Sequence, residues 1–174
     1  MSVNGKTQIK WVINELLDSP ELKANASGAH TLDESVSWTD GTASATDVVD
    51  LVWSDQNTVT ASATNTIDLG TGGGLTDMFG TSIVPFVEVV GIFVKNVSTT
   101  AGDILHIGPH SSNGLTGPWV AAGDLDSVYP GGVWCAWNST GWTVTDGSVD
   151  TVRIIETGGA NTVTYKIVII GRSA

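Results

Sequence analysis

The chain has 174 residues, 41% hydrophobic and only 14% charged, which suits one domain with a sizeable core and excludes a disordered tail. Eighteen acidic residues against seven basic ones give a formal charge of −11. Such a chain repels nucleic acid and anionic membranes, whose recognition needs clustered Lys and Arg, and its basic residues are scattered from Lys6 to Arg172. A lone cysteine, Cys135, excludes an internal disulfide. No segment has the apolar length of a signal sequence or a membrane span. A soluble protein made in a cytoplasm is therefore expected, with no nucleic-acid or membrane partner.

At the N-terminus, Ile9, Val12, Ile13, Leu16 and Leu17 recur at helical spacing, with Thr7 as a cap and Asp18-Ser19-Pro20 as a stop. Ile9, Trp11 and Ile13 also alternate as in a strand, and Trp, Val and Ile favour sheets, so both readings stand. Residues 20–47 are small and polar. They read as an extended arm or long loop, closing in a short turn or helix at Ala-Thr-Asp-Val-Val-Asp-Leu-Val-Trp, residues 45–53. The predicted organisation is an N-terminal arm over 1–46, ordered in part on neighbours, and a β-sandwich over 47–174.

Beyond the arm the period is two. Over 57–69, Val59, Ala61, Ala63, Ile67 and Leu69 fall on odd positions, with Thr, Ser and Asp between them, which predicts one strand with a wet face. Residues 83–95 are apolar on both faces, as in a strand covered twice, by a second layer or by another molecule. Shorter strands are predicted at 103–107, 132–137, 142–145 and 149–155, and a strong one at 162–170. Turn signals fall between them about every ten residues, among them Tyr-Pro-Gly-Gly, Asn-Ser-Thr-Gly and Thr-Asp-Gly-Ser. That rhythm predicts an all-β antiparallel sandwich, jelly-roll-like, with an extended N-terminal arm.

No constellation of catalytic residues stands out. The glycine run at 67–80, Ile-Asp-Leu-Gly-Thr-Gly-Gly-Gly-Leu-Thr-Asp-Met-Phe-Gly, lacks the lysine of a phosphate loop and the crossover helix of a dinucleotide site. It reads as a flexible connection, with one helical turn at 75–79. His106 and His110 are four apart, but Gly108-Pro109 forbids the helix that would pair them on zinc. Asp124 and Asp126 lack the rest of a calcium loop, and no two of Asp68, Asp77, Asp103 and Asp150 are singled out as an acid–base pair. Cys135, mid-strand between Val133 and Trp137, reads as a buried, inert thiol. No catalytic, cofactor or metal site is predicted, and the chain is not read as an enzyme. The seven tryptophans are the informative residues. Trp134 and Trp137 have opposite parity and cannot share a sugar platform, whereas Trp137 and Trp142 could approach across Asn-Ser-Thr-Gly. Core or protein interface is the favoured reading for them.

The succession of a strand ending in Asp68-Leu69, a Leu-Thr-Asp-Met-Phe-Gly turn, a long apolar strand ending in Lys95-Asn96, Tyr-Pro-Gly-Gly, Gly-Trp-Thr-Val-Thr-Asp-Gly-Ser-Val-Asp and a final tyrosine strand closing on Gly171 resembles a family of tailed-phage virion proteins, the capsid decoration or cement proteins of β-sandwich build. The resemblance covers roughly residues 47–171. Glycines 72–74 look like an insertion, and Trp134 and Trp137 stand where the pattern has aliphatic residues. In that pattern the N-terminal segment is a strand. The resemblance implies a structural protein on the capsid exterior, assembled in the host cytoplasm, bound to the major capsid protein and forming a homo-oligomer, most simply a trimer. Interface residues expected on that basis are Trp11, Val12, Trp38, Phe86, Val90, Phe93 and Trp134. Alternative readings are a carbohydrate- or receptor-binding sandwich of a tail or fibre, and a shell-forming jelly-roll capsid protein.

Overall fold

The structure, a computed structural model, describes residues 5–19, 24–77, 79–157 and 161–174. For residues 11, 14–19, 24–28 and 30 it describes backbone pairing alone. Two long strands open the chain, β1 (Gly5–Ser19) and β2 (Ala24–Asp40), paired antiparallel from Gly5↔Trp38 to Ser19↔Ala24. The short β3 (Val48–Val49) runs parallel to the end of β2. Then follow β4 (Leu51–Val59), β5 (Thr64–Asp68), β6 (Glu88–Asn96), β7 (Leu105–Pro109), β8 (Asp126–Val128), β9 (Val133–Thr143), β10 (Thr151–Glu156) and β11 (Val163–Arg172). These eight form two four-stranded sheets, ordered β4-β11-β6-β9 and β5-β10-β7-β8. Counted from β4 as the first, the orders are 1-8-3-6 and 2-7-4-5. Consecutive strands alternate between sheets except at β7–β8. This is the doubly wound order of a jelly roll, so the all-β sandwich expected from the turn rhythm is what the chain forms.

The two inner faces meet in one core. Leu51, Trp53, Ile92, Val94, Tyr165, Ile167 and Ile169 come from the first sheet, and Ile67, Leu105, Ile107, Val128, Val152 and Ile154 from the second. Each set follows the period of two that puts alternate side chains on one face.

Several boundaries differ from expectation. The N-terminal segment is strand and not helix, because its β-prone Trp, Val and Ile find a partner strand in residues 24–40, which also replaces the predicted loop. Residues 45–53 form β3 and the start of β4, with Asp47 in the left-handed region at the bend (φ 60°). Residues 57–69 make two strands. The chain turns at Thr60–Ala63, with Ser62 at φ 59°, and crosses from one sheet to the other. Val59, Ala63, Ile67 and Leu69 all face the same core, and of the odd apolar positions Ala61 alone turns outward, so the shared parity conceals the turn. Conversely, the predicted strand at 132–137 and the start of that at 142–145 join in the single strand β9, Val133–Thr143. Asn-Ser-Thr-Gly is absorbed there as an irregularity opposite Val89–Gly91, with Gly141 at φ 84° and Asn138 Nδ2 donating to the Gly141 carbonyl. The predicted strand at 83–95 begins only at Glu88. β8, lying in what reads as loop, was not expected.

The glycine-rich stretch is a compact, hydrogen-bonded connection. Asp68 Oδ1 accepts from the Gly70 amide, and Asp77 Oδ1 accepts from Phe79 and Thr81. Among the described residues of 75–79 there is a bridge to Ser82 and a turn, not a helical turn; Met78 lies outside the described residues. A Cβ on Gly73 would sit 1.9 Å from the Asp68 carbonyl oxygen, so the backbone there needs glycine.

Candidate functional site

The outer face of the first sheet is the surface that stands out. Pairing registers set its rows. One row is Val52, Ile170, Gly91 and Trp137; the next is Ser54, Val168, Phe93 and Cys135; the third is Gln56, Lys166, Lys95 and Val133. A sheet face open to water normally carries polar residues. Here Phe93 is 39% exposed and Trp137 38%, and Val133 and Cys135 are exposed beside them. The two-faced apolarity of residues 88–95 thus has two causes: Val89, Ile92 and Val94 fill the core, while Phe93 faces outward.

The hairpin β1–β2 overhangs this face. Its base is fixed by Trp38, which packs with Val49 and Val90 and is flanked by Val36, Val52 and Ile170. Trp38 Nε1 donates to Thr7 Oγ1 at 2.9 Å. A little further out, Thr7, Gln8, Ile9 and Leu32 form one wall of an apolar groove of about 550 Å³, whose floor is the open part of the sheet. Beyond the groove the hairpin continues for ten more paired residues of β1.

A buried cation holds the hairpin's root to the body. Arg172 is fully buried and forms an ion pair with Glu88 at 2.8 Å. Its guanidinium donates to the carbonyls of Ala45, Val48 and Ser139, and Ser44 Oγ donates to Glu88 Oε1. The connection between β2 and β3 is thereby tied to the last residues of β11. Sequence reading missed this residue, since one Arg near a chain end carries no pattern. Its only sign was its place on the apolar, tightly paired final strand.

The expected interface residues do not share one surface. Val12 and Phe93 are exposed. Trp38, Phe86 and Val90 are buried inside this chain, because the hairpin base and the core take up the apolar surface that was assigned to neighbours. Trp134 points inward, stacked on Trp119 with centroids 5.3 Å apart and planes 7° apart. Both indoles donate to Asp126 Oδ2, at 2.9 and 3.0 Å. Trp11 lies on β1 opposite Leu32, with its side chain outside the described residues. Trp137 and Trp142 do not approach each other: Trp137 lies on the outer face, and Trp142 packs toward the core.

The motifs weighed for chemistry lie apart. His106 Nδ1 is 3.3 Å from Ser127 Oγ, and His110 Nδ1 accepts from the Ser112 amide. Asp124 Oδ2 accepts from the Val120 and Ala121 amides. Among the described residues, no three His, Cys, Asp or Glu side chains form a group that could hold a metal. Hydrogen bonds from Ser98 and Asn161 hold the Asp103 carboxyl below its usual pKa, and those from the Thr71 hydroxyl and amide do the same for Asp146. Cys135 is exposed, contrary to the buried thiol expected, because its parity matches Phe93 and not Trp134. Partial burial still pushes its pKa upward.

No family model matches the chain, and no curated protein matches it. Among solved structures it is similar to one from the disulfide-linked pili formed by Bacillus endospore appendages, at 17% identity and a TM-score of 0.38, over 71% of this chain and 89% of that one.

Proposed function

We propose that this chain is a structural virion protein that binds the outer surface of a phage capsid and stabilises the shell, as a decoration or cement protein. Its partners are the major capsid protein and further copies of itself, with a trimer as the simplest assembly. The observation that carries this reading is the hairpin. β1 and β2 pair over fifteen positions, yet among the described residues the sandwich holds them near Trp38 and the groove. A two-stranded hairpin is marginal in water by itself, so the length beyond the groove gains its purpose from a second surface. The half-open apolar sheet face beneath it has the same need. The acidic charge suits a protein on the outside of a shell packed with DNA.

The test is addition of purified protein to shells that lack it, followed by co-sedimentation and thermal disruption of the shells. Saturable binding that raises the disruption temperature is expected. Absence of binding would contradict the reading. The jelly-roll strand order favours one second reading, a shell-forming capsid protein, which would assemble into closed particles alone, visible by electron microscopy. The carbohydrate reading loses the Trp137–Trp142 pair, which lies on opposite faces, while Trp119 and Trp134 spend their N–H groups on Asp126.

A further inference from the structure

We infer that the outer-face groove of one copy receives the acidic tip of the β1–β2 hairpin of a neighbouring copy. Two features of this chain are complementary in charge and apolarity. The first is Lys95 opposite Lys166. They are direct cross-strand neighbours on the outer face, both exposed, and neither is paired with a carboxylate among the described residues. Like charges placed directly opposite destabilise a sheet. Acidic side chains outnumber basic ones eighteen to seven in this chain, yet none of the described carboxylates relieves this pair. Next to the two lysines lies the row of Val168, Phe93 and Cys135, and beyond it Trp137. The site therefore offers apolar surface ending in two cations.

The second feature is the far end of the hairpin. Residues 15–23 read Glu-Leu-Leu-Asp-Ser-Pro-Glu-Leu-Lys, with three leucines and three carboxylates against one lysine. Leucines for the apolar rows and carboxylates for Lys95 and Lys166 match the groove in both respects. Reach decides between a tip from the same copy and one from another. The groove contacts β1 at Thr7–Ile9, and Ser19 is ten residues further along a continuously paired strand. At about 3.3 Å per residue, Glu15 lies roughly 20 Å and Ser19 roughly 33 Å further along the strand than the groove. Glu15 and Asp18, held in register with Gly28 and Asn25, cannot reach their own groove while that pairing lasts, so the occupant comes from another copy. The contact joins two different patches. Repeated from copy to copy, it closes into a ring or runs on as a filament.

The full-length protein tests this without any capsid, so failure here leaves the decoration reading standing. Sedimentation velocity across a concentration series, alkylation of the single thiol Cys135 and zero-length carbodiimide cross-linking are the readouts. Wild-type protein should associate with rising concentration. Cys135 alkylation should slow by roughly tenfold once most grooves are filled, and cross-links should join Lys95 or Lys166 to Glu15, Asp18 or Glu21. A K95E/K166E variant and an E15K/D18K/E21K variant should each remain monomeric with unchanged far-ultraviolet circular dichroism, and should associate when mixed. Wild-type protein that stays monomeric with a freely reactive Cys135 would overturn the proposal. So would association that survives either charge reversal, or cross-links that map to another face.

Discussion

Replacing Trp38 by Ala removes the side chain that ties the hairpin to the body. Trp38 is 6% exposed, packs with Val49 and Val90, and donates one hydrogen bond to Thr7 Oγ1. Truncating a buried Trp costs about 3–5 kcal/mol, of which the hydrogen bond accounts for about 1 kcal/mol. This cluster is distinct from the sandwich core, so the loss falls on local opening of the hairpin and not on global unfolding. A loss of about 3 kcal/mol raises the open population roughly a hundredfold. Hydrogen exchange read by mass spectrometry should show amides of residues 5–9 and 34–40 exchanging roughly a hundred times faster, while those of β6 and β11 keep their protection. Trp38→Phe, which loses the hydrogen bond but keeps most of the volume, should give a much smaller change. If exchange in β6 and β11 rises as much as in the hairpin, the two unfold as one unit and the separation of the clusters is wrong.

Arg172→Met leaves Glu88 without its cation and should cost about 3 kcal/mol or more, lowering the melting temperature by roughly 6–12 °C; pairing it with Glu88→Gln should recover part of the loss. Gly73→Ala places a methyl group against the Asp68 carbonyl and should destabilise by about 1–3 kcal/mol, whereas Gly123→Ala, whose Cβ meets nothing within 4 Å, should be close to neutral in the same melts. Asp103 and Asp146 have folded-state pKa values below their usual 3.8. Their stabilisation is therefore fully present above the unfolded value and is lost as pH falls below it. Acid titration of D103N and D146N should show a shallower loss of stability below about pH 4 than wild type; an unchanged acid limb would contradict the assigned hydrogen bonds.

The sandwich was legible because its strands obey the period of two and its turns carry Gly, Pro, Asn and Asp. What failed is equally physical. Val59, Ala63, Ile67 and Leu69 share parity and face one core from two sheets, so parity alone could not reveal the turn at Ser62. β1 and β2 are exposed over much of their described length and so lack a consistent apolar face; their partner is set by each other, within 20 residues of chain on either side of Pro20. The Lys95–Lys166 pairing joins positions far apart in sequence and exists only through the register of β6 on β11. Trp134 and Trp137 were separated correctly by parity, but the Asp126 carboxylate that fixes Trp134 required the fold to bring β8 beside β9.

The decoration reading stands or falls on how many copies a particle carries. Quantitative mass spectrometry of purified virions from the encoding genome, referenced to the major capsid protein, measures that number. The account predicts a ratio near one copy per capsid subunit, or one trimer per local threefold. A ratio of a few per hundred would place the protein at the tail or a vertex, and its absence from the particle would contradict the account outright.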